Sequence, residues 1–348
     1  MISQKLIKWY KQHKRDLPWR NTTDPYKVWL SEIILQQTRV AQGLPYYVSF
    51  VNAFPTVFDL AKAPEQKVLK LWQGLGYYSR ARNLHTAAKE VVKNYKGVFP
   101  AEFEELKKLK GVGDYTAAAI SSFCFNKPHA VVDGNVYRVL ARLFAMDIAI
   151  NSTEGKKQFA QLAKELLDKK NAGANNQAIM EFGAMYCTPH NPNCEACIFN
   201  DVCLSGSAGK ASSYPVKIAN KKVTTRYFEY FVITSNGNTY TQQRTESDIW
   251  KNLHQFPMLE YVEKAENAVV LEQMKKEILK TKTNNFKILK QTDYKKHQLS
   301  HQTIFARFTY LDVKKFSNST YKQIALKQLK KLPFPMLIAN EILTVKTQ

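Results

Sequence analysis

The sequence lacks any long apolar segment of the kind that directs a protein into or across a membrane. Residues 1–20, MISQKLIKWYKQHKRDLPWR, have no apolar core such as a signal peptide needs. No other run is long and apolar enough to cross a bilayer as a helix. We therefore expect a cytoplasmic protein with no membrane partner.

Acidic residues are scarce. The chain has 29 aspartates and glutamates against 51 lysines and arginines, which gives a formal net charge of +22. Such an excess favours a polyanionic partner. A general lysine-rich bias of the source proteome would produce the same excess, so the charge alone does not identify the partner.

Cysteines are few, and four of the five lie close together: Cys187, Cys194, Cys197 and Cys203, spaced C-x6-C-x2-C-x5-C. In a reducing compartment this clustering indicates a metal centre and not disulfides. One close pair with two outlying thiols is compatible with an iron–sulfur cluster, whereas a four-cysteine zinc site usually has two close pairs. The spacing leaves both metals open. Cys124 is predicted to be a small core residue.

The chain is too long for one ordinary core, and its hydrophobic pattern changes after a stretch rich in serine, glycine and alanine. We predict a mostly α-helical domain at 1–205, a linker at 206–222 and an α+β domain at 223–348. In the second domain, strands at 226–234 and 239–244 flank the hairpin signal Asn236-Gly237-Asn238. Further predictions are a helix at 263–280, strands within 286–310 and a closing helix at 320–332.

The segment 106–142 contains two features that are each ordinary alone. Gly111-Val112-Gly113 forms a tight turn before a helix, where backbone N–H groups without nearby side-chain bulk can approach a phosphate. Asp133 stands where the N-cap of the next helix is expected. Taken separately, the first is most often only a turn and the second only a cap.

A long helix, PYKVWLSEIILQQTRVAQ, is predicted from Pro25, with Asp24 as its cap. Further helices are expected after it, broken by Pro45 and later prolines. Glu32 has apolar neighbours, an unusual setting for a carboxylate. It is either a surface glutamate on a narrow polar face or a partly buried acid. In the second case desolvation raises its pKa and suits it to donate a proton near neutral pH.

Two motifs together resemble a known signature. LKGVGDYTA followed by VDGNVYRVLAR is similar to the helix-hairpin-helix and aspartate signature of the DNA base-excision glycosylases. Within that superfamily, LPWR at 17–20 and WLSEIILQQT at 29–38 resemble the adenine DNA glycosylases, the MutY family. The resemblance is strongest in the first domain and extends more weakly into the second.

The resemblance implies roles for residues of the first domain. Glu32 would be the catalytic acid, and Asp133 would stabilise the positive charge on the sugar or trap it covalently. Tyr115 and Asn135 would support the sugar side. The base pocket would be lined by Arg15, Trp19, Arg20 and Gln177.

It also implies contacts with DNA. Gln37 would enter the DNA helix, and Tyr77 of the GLGYY segment would be wedged into the duplex beside an extruded base. The turn at Gly111 and Gly113 would bind phosphate. The four clustered cysteines would hold a [4Fe–4S] cluster.

The second domain looks Nudix-like by the same resemblance. IWKNLHQFP matches its "W-x-x-L-x-x-F-P" segment, and HQLSH matches its F-S-H segment with Leu299 in place of the phenylalanine. Asp248 and Lys251-Asn252 stand where glycine-rich sequence is expected, and we find no Nudix catalytic box. We therefore expect this domain to recognise 8-oxoguanine through Ser300 and His301 and not to hydrolyse a nucleotide.

The implied function is hydrolysis of the N-glycosidic bond of adenine mispaired with 8-oxoguanine or guanine in double-stranded DNA. The enzyme would be a monomeric, monofunctional glycosylase of base-excision repair, associated with the nucleoid in a bacterium. The nearest alternative is an endonuclease III-like glycosylase and lyase acting on oxidised pyrimidines, which carries its Schiff-base lysine where this chain has Tyr115. A catalytically silent DNA-binding or redox protein is a third class, and it leaves the two carboxylates unexplained.

Overall fold

The computed structural model describes residues 2–219, 223–281 and 285–342. The chain divides into two compact units. The first comprises Met1–Lys62 and Asn83–Ala219, and the second Ala63–Arg82 and Asn220–Gln348. A segment of the expected first domain thus groups with the C-terminal residues, and the domain boundaries at 205 and 222 remain predictions.

The first unit is built from helices. They are α1 (Ile2–His13), α2 (Pro25–Leu35), α3 (Val40–Ala53), α4 (Val57–Lys62), α6 (Ser79–Tyr95), α7 (Phe103–Lys108), α8 (Asp114–Phe125), α9 (Gly134–Leu143), α10 (Thr153–Leu166), α11 (Ala172–Met185) and α12 (Leu204–Ser207). Helix α5 (Glu65–Leu71) and the first residues of α6 belong to the second unit.

Helix α11 is the centre of the core of the first unit, where it packs against α1, α8 and α9. Its small residues allow close approach of the neighbouring backbones. A Cβ atom at Gly173 would lie 2.6 Å from the carbonyl oxygen of Ser122, and one at Gly183 would lie 2.7 Å from the Cβ of Asn135. This packing fixes α8 and α9, whose N-termini carry candidate functional residues, against one common helix.

Both predicted N-caps are confirmed. Asp24 Oδ1 accepts a hydrogen bond from the Tyr26 amide at 2.9 Å, which starts α2. Asp133 Oδ1 accepts from the amides of Asn135 and Val136 at 2.9 and 2.8 Å, which starts α9. Each carboxylate satisfies helix N–H groups that otherwise have no partner within the helix.

The predicted single helix over residues 25–42 is wrong. Helix α2 ends at Leu35 and α3 begins at Val40, because Gln36 leaves the helical conformation with ψ of 114° and Gln37 has a left-handed backbone with φ of 55°. The prediction that Pro45 breaks a helix is also wrong. It lies inside α3, where the buried residues Tyr47 and Phe50 hold the helix against the core despite the missing N–H donor.

The second unit contains an eight-stranded mixed sheet with the order β3-β2-β1-β7-β5; in addition β4 pairs with β1, β6 with β7 and β8 with β2. The strands are β1 (Thr224–Ser235), β2 (Asn238–Gln243), β3 (His254–Gln255), β4 (Met258–Tyr261), β5 (Phe286–Gln291), β6 (Lys295–Gln298), β7 (Gln302–Val313) and β8 (Lys322–Ala325). Strands β1 and β7 pair in parallel, and the other pairs are antiparallel. The hairpin predicted at Asn236-Gly237 is confirmed, with φ of 48° and 71°.

The helices of the second unit only partly match the prediction. Helix α13 (Asn267–Gln273) continues as a π-helix at Met274–Leu279, within the predicted 263–280. The closing helix at 320–332 is wrong, because β8 pairs with β2 there and a 3₁₀-helix follows at Leu326–Lys331. The C-terminal helix is α14 (Met336–Ile342).

The described part of the expected linker, 206–219, is held against the first unit. Arg142 Nε donates to the carbonyl of Ala211 at 2.8 Å, and the amide of Ile150 donates to the carbonyl of Val216 at 3.0 Å. Among the described residues, no helix combines the length and the apolarity that crossing a bilayer requires.

Candidate active site

A cavity of about 970 Å³ opens in the first unit between α2, α11 and the N-termini of α8 and α9. This volume is at the upper end of the range of small-molecule sites. Ten residues predicted from the sequence line it: Arg15, Trp19, Arg20, Glu32, Gln37, Gly113, Tyr115, Asp133, Asn135 and Gln177. The predicted catalytic and base-pocket residues therefore share one space.

Glu32 lies on α2 and is 7% exposed, so its placement on a polar surface face is wrong. Tyr115 Oη donates to Glu32 Oε2 at 2.7 Å. Burial raises the pKa of the Glu32 carboxyl to about 7, although the hydrogen bond from Tyr115 acts in the opposite direction. A carboxyl with this pKa carries a proton in a large fraction of molecules at neutral pH, which suits a general acid.

Asp133 caps the N-terminus of α9 and also lines the cavity. Besides the two helix amides, it accepts a hydrogen bond at Oδ2 from Asn135 Nδ2 at 2.8 Å. Burial raises the pKa of Asp133, and these hydrogen bonds oppose the rise because they favour the charged form. The result is a carboxylate fixed in orientation, whose negative charge also raises the pKa of Glu32.

Glu181 was not predicted as a site residue, yet it organises the far side of the cavity. It is fully buried on α11 and accepts hydrogen bonds from Arg15 Nη2 at 2.6 Å and Arg20 Nη2 at 2.5 Å. Burial would raise the pKa of Glu181, but the hydrogen bonds from the two arginines hold it at about 2. The sequence signal was a glutamate between Met180 and Phe182 on a helix of apolar and small residues.

The other base-pocket residues are also held by specific contacts. Gln177 Oε1 accepts from Tyr10 Oη at 2.6 Å, and the buried Trp19 ring packs edge-on against Tyr47 at 5.0 Å. Arg20 Nη1 is buried and has no hydrogen-bond partner within the described part of the chain. It is therefore a donor available to a bound ligand.

The residues of the first unit that are predicted to contact DNA lie in exposed turns. Gln37 is exposed in the left-handed turn after α2. Gly111 has φ of 78°, and a Cβ atom there would lie 2.7 Å from the Cβ of Asn83, so only glycine fits this turn. Gly113 precedes α8 with open space around it.

In the second unit, Tyr77 is 45% exposed and has a left-handed backbone with φ of 47°. Ser300 and His301 are exposed in the loop between β6 and β7, with Ser300 Oγ 3.2 Å from His301 Nδ1. These three residues do not line the large cavity.

The clustered cysteines line a separate cavity of about 180 Å³ in the first unit. Arg142 Nη1 donates to Cys187 Sγ at 3.4 Å, and the Phe199 amide donates to Cys197 Sγ at 3.4 Å. Arg138 connects this loop to the large cavity, since it donates to the Cys187 carbonyl at 2.8 Å and to Asn135 Oδ1 at 2.9 Å. Over the described ranges, no three His, Cys, Asp or Glu side chains are grouped so that they could hold one metal ion.

The fold and this site define a DNA base-excision repair protein. Residues 30–169 match the sequence profile described as "HhH-GPD superfamily base excision DNA repair protein", and residues 229–343 match that of the NUDIX domain. A thermostable thymine-DNA glycosylase is similar in structure, with a TM-score of 0.55 and 29% identity over 60% of this chain and 95% of that one. An endonuclease III–DNA complex shares the fold at a TM-score of 0.52 and 21% identity, over 60% of this chain and 94% of that one.

Relatives in sequence identify the family within this superfamily. An adenine DNA glycosylase of Buchnera aphidicola subsp. Acyrthosiphon pisum is 35% identical over 266 residues, which is 76% of each chain. That of Buchnera aphidicola subsp. Baizongia pistaciae is 33% identical over 316 residues, covering 90% of this chain and 87% of its own. The human one is 45% identical over 207 residues, covering 57% of this chain and 38% of its own. The chain belongs to the adenine DNA glycosylase family.

Proposed function

We propose that this protein hydrolyses the N-glycosidic bond of adenine that is mispaired with 8-oxoguanine or guanine in double-stranded DNA. The observation that carries the proposal is that one cavity is lined by two carboxyls, the buried Glu32 and the half-buried Asp133. Burial raises the pKa of Glu32 to about 7, and Asp133 is fixed by three hydrogen bonds. Two carboxyls with divided acid and charge-stabilising roles are the usual apparatus of glycoside hydrolysis.

The chemistry follows from these positions. Adenine leaves the base stack and enters the cavity, because its glycosidic bond is not accessible within a duplex. Glu32 transfers its proton to a ring nitrogen of adenine as the bond between sugar and base breaks, and the bonding electrons leave with the base. Asp133 stabilises the positive charge on the sugar. Water then adds its oxygen to the sugar carbon and returns a proton to Glu32.

The base is held by the opposite wall of the cavity. Arg15 and Arg20 are fixed by Glu181, and Arg20 Nη1 has no hydrogen-bond partner among the described residues. A planar base with ring acceptors suits such a donor, since the guanidinium is itself planar. Trp19 and Gln177 complete the pocket.

Hydrolysis is favoured over lyase chemistry by the residues of the cavity. A glycosylase with lyase activity attacks the sugar with an amine, usually that of a lysine. Among the described residues that line the cavity there is no lysine, and Tyr115 occupies the position where the endonuclease III-like alternative carries one. The proposed enzyme is therefore monofunctional.

The test of the function is release of free adenine, followed by chromatography under single-turnover conditions. Duplexes with adenine opposite 8-oxoguanine or guanine are expected to release it, and an adenine–thymine duplex is the control. Absence of release from both mispairs would contradict the proposal.

The raised pKa of Glu32 leads to a pH prediction. Because the acid form is the active one, kcat/KM is expected to be high below pH 7 and to fall as the pH rises through about 7. Tyr115→Phe removes the hydrogen bond that lowers this pKa, so the midpoint of the fall should move to higher pH, whatever the change in maximal rate. A profile that is flat from pH 6 to 8 in the unmodified enzyme would exclude Glu32 as the acid.

We further propose that Cys187, Cys194, Cys197 and Cys203 hold a [4Fe–4S] cluster. All four line one cavity, and the sulfurs of Cys187 and Cys197 accept N–H hydrogen bonds, a common feature of iron–sulfur sites. The cluster would order the loop that Arg138 and Arg142 tie to α9.

This cofactor is tested by colour and metal content. The purified protein should be yellow-brown with broad absorption near ~400 nm, as thiolate-bound iron and sulfide produce. Cys197→Ser should lose iron, whereas Cys124→Ser, which alters the one cysteine outside the set, should retain it. A colourless active protein with stoichiometric zinc would refute the cluster.

The second unit is proposed to read the base opposite adenine. An adenine pocket cannot distinguish a mispair from a correct pair, so discrimination requires contacts with the other base. Ser300 and His301 offer a hydroxyl and an imidazole in an exposed loop.

Changing both Ser300 and His301 to alanine tests this reading role. The preference for 8-oxoguanine over guanine should fall by roughly 1–3 kcal/mol per lost contact, measured as the ratio of single-turnover rates. The rate opposite guanine should change little. If the ratio stays at the value of the unmodified enzyme, these side chains do not read the base.

A further inference from the structure

We propose that the turn Trp250–Leu253 couples the loop of Ser300 and His301 to the segment that bears Tyr77, with Asn252 as a positioning residue. The inference rests on the roles proposed above for these three residues. It concerns contacts within the second unit, to which residues 63–82 and the sheet both belong. The turn has no other role in the mechanism.

The turn is held in an unusual backbone conformation. Trp250 and Asn252 have φ of 61° and 67°, in the left-handed region that asparagine tolerates better than most residues. Arg244 closes the turn, since its carbonyl accepts from the Asn252 amide at 2.7 Å and its amide donates to the Leu253 carbonyl at 2.9 Å. This conformation explains how Lys251-Asn252 can replace the expected glycine-rich sequence, while adding side chains that glycine lacks.

The turn holds both ends of the segment that bears Tyr77, at one end through the side chain of Asn252 and at the other through the backbone carbonyl of Lys251. At its start, Asn252 Nδ2 donates to Glu65 Oε1 at 2.6 Å on the first turn of α5. At its end, Arg82 Nη1 donates to the Lys251 carbonyl at 2.9 Å. Both ends of residues 65–82 are therefore attached to this turn, while the middle of the segment is attached to residues 332–334, where Lys70 Nζ donates to the Leu332 carbonyl at 3.2 Å.

Contacts within the segment link the end of α5 to the exposed Tyr77. Trp72 Nε1 donates to the Gly76 carbonyl at 2.9 Å. The Arg80 guanidinium lies 5.0 Å from the centre of the Trp72 ring and 5.7 Å from that of Tyr77. A shift of α5 would therefore move Tyr77.

The turn also contacts the strand that leads to the reading loop. The buried Trp250 ring lies 5.8 Å from the ring of His297 on β6. Strand β6 runs into Leu299, Ser300 and His301. The groups that would contact the opposite base and the tyrosine that would enter the duplex are thus connected through one turn, and a continuous series of contacts of this kind can carry coupling between two sites.

Asn252→Gly tests the connection. Glycine keeps the left-handed backbone and removes only the amide that binds Glu65. The matched control is Asn236→Gly, at the hairpin residue with φ of 48° in the same unit. Two measurements are made on the full-length protein: amide hydrogen exchange of residues 73–79 without DNA, and single-turnover excision opposite 8-oxoguanine and guanine.

Asn252→Gly should raise the amide exchange rate of residues 73–79 by roughly 3- to 10-fold. It should lower the ratio of the excision rate opposite 8-oxoguanine to the rate opposite guanine by a similar factor. Loss of one hydrogen bond commonly has an effect of this size. The rate opposite guanine should stay within about two-fold, since general damage to the fold would lower both rates. Asn236→Gly should change neither quantity.

A charge-swapped pair provides the rescue. Asn252→Asp places a carboxylate against Glu65 and should mimic or exceed the glycine variant. Adding Glu65→Gln restores an amide–carboxylate hydrogen bond with donor and acceptor exchanged, so the double variant should recover both exchange and the rate ratio to within about two-fold.

The two proposals fail in different ways. A protein that released no adenine would overturn the proposed function. Hydrogen exchange does not depend on activity, so it would still show whether the turn holds the segment that bears Tyr77. If Asn252→Gly exchanges at 73–79 like Asn236→Gly, or if exchange rises while the rate ratio is unchanged, the coupling is refuted. A double variant as impaired as Asn252→Asp alone also refutes it.

Discussion

Glu32→Gln is expected to slow adenine excision by ~10²–10⁴-fold, the usual contribution of a general acid, while binding of the mispaired duplex is retained. Glutamine has nearly the same size and can still accept the hydrogen bond from Tyr115 Oη, but it has no acidic proton to donate. The measurement is a single-turnover rate on an adenine–8-oxoguanine duplex, together with a binding curve on the same duplex.

The matched control is Glu165→Gln, which alters an exposed glutamate on α10 in the same unit and should leave the rate unchanged. The residual activity of Glu32→Gln should also lose the fall near pH 7, because the group that titrates there is gone. Near-normal excision by this variant would remove Glu32 from the mechanism.

Asp133→Asn should have a comparably large effect, a loss of ~10²-fold or more in single-turnover rate, because stabilisation of charge in a buried site is a major catalytic contribution. Asparagine is as good an N-cap as aspartate, so the start of α9 and the thermal midpoint should be nearly unchanged. The substitution therefore removes the charge and keeps the cap.

Two comparisons separate the chemistry from stability. Asp133→Ala should lose ~1 kcal/mol of stability in addition to activity, because the cap is lost. Asp168→Asn, at another aspartate that caps a short helix, should alter neither rate nor stability appreciably. An Asp133→Asn enzyme that is active but unstable would mean that the residue is only a cap.

Features set by local chemistry could be predicted from the sequence. The caps at Asp24 and Asp133 and the hairpin at Asn236-Gly237 depend on residues two or three positions away. The segment at 320–332 shows the limit of this reasoning. Its residues suit a helix, but pairing of β8 with β2, far away in sequence, makes the first part of it a strand.

The candidate site shows the same division. Its carboxyls could be predicted from motifs, whereas the burial that raises the pKa of Glu32 depends on packing of α2 in the folded unit. The apolar setting of Glu181 was visible in the sequence, but its role was not, because its partners Arg15 and Arg20 lie 166 and 161 positions away. Its role becomes visible only when α11 is placed beside the N-terminal turn.

The most direct measurement compares two substrates in one experiment: duplexes with adenine opposite 8-oxoguanine, and duplexes that carry thymine glycol. The protein is predicted to release adenine from the first, leave the DNA strand unbroken until alkali is added, and make no product from the second. Cleavage of the thymine glycol duplex, with adenine left in place in the other, would contradict the assignment of the cavity to adenine hydrolysis.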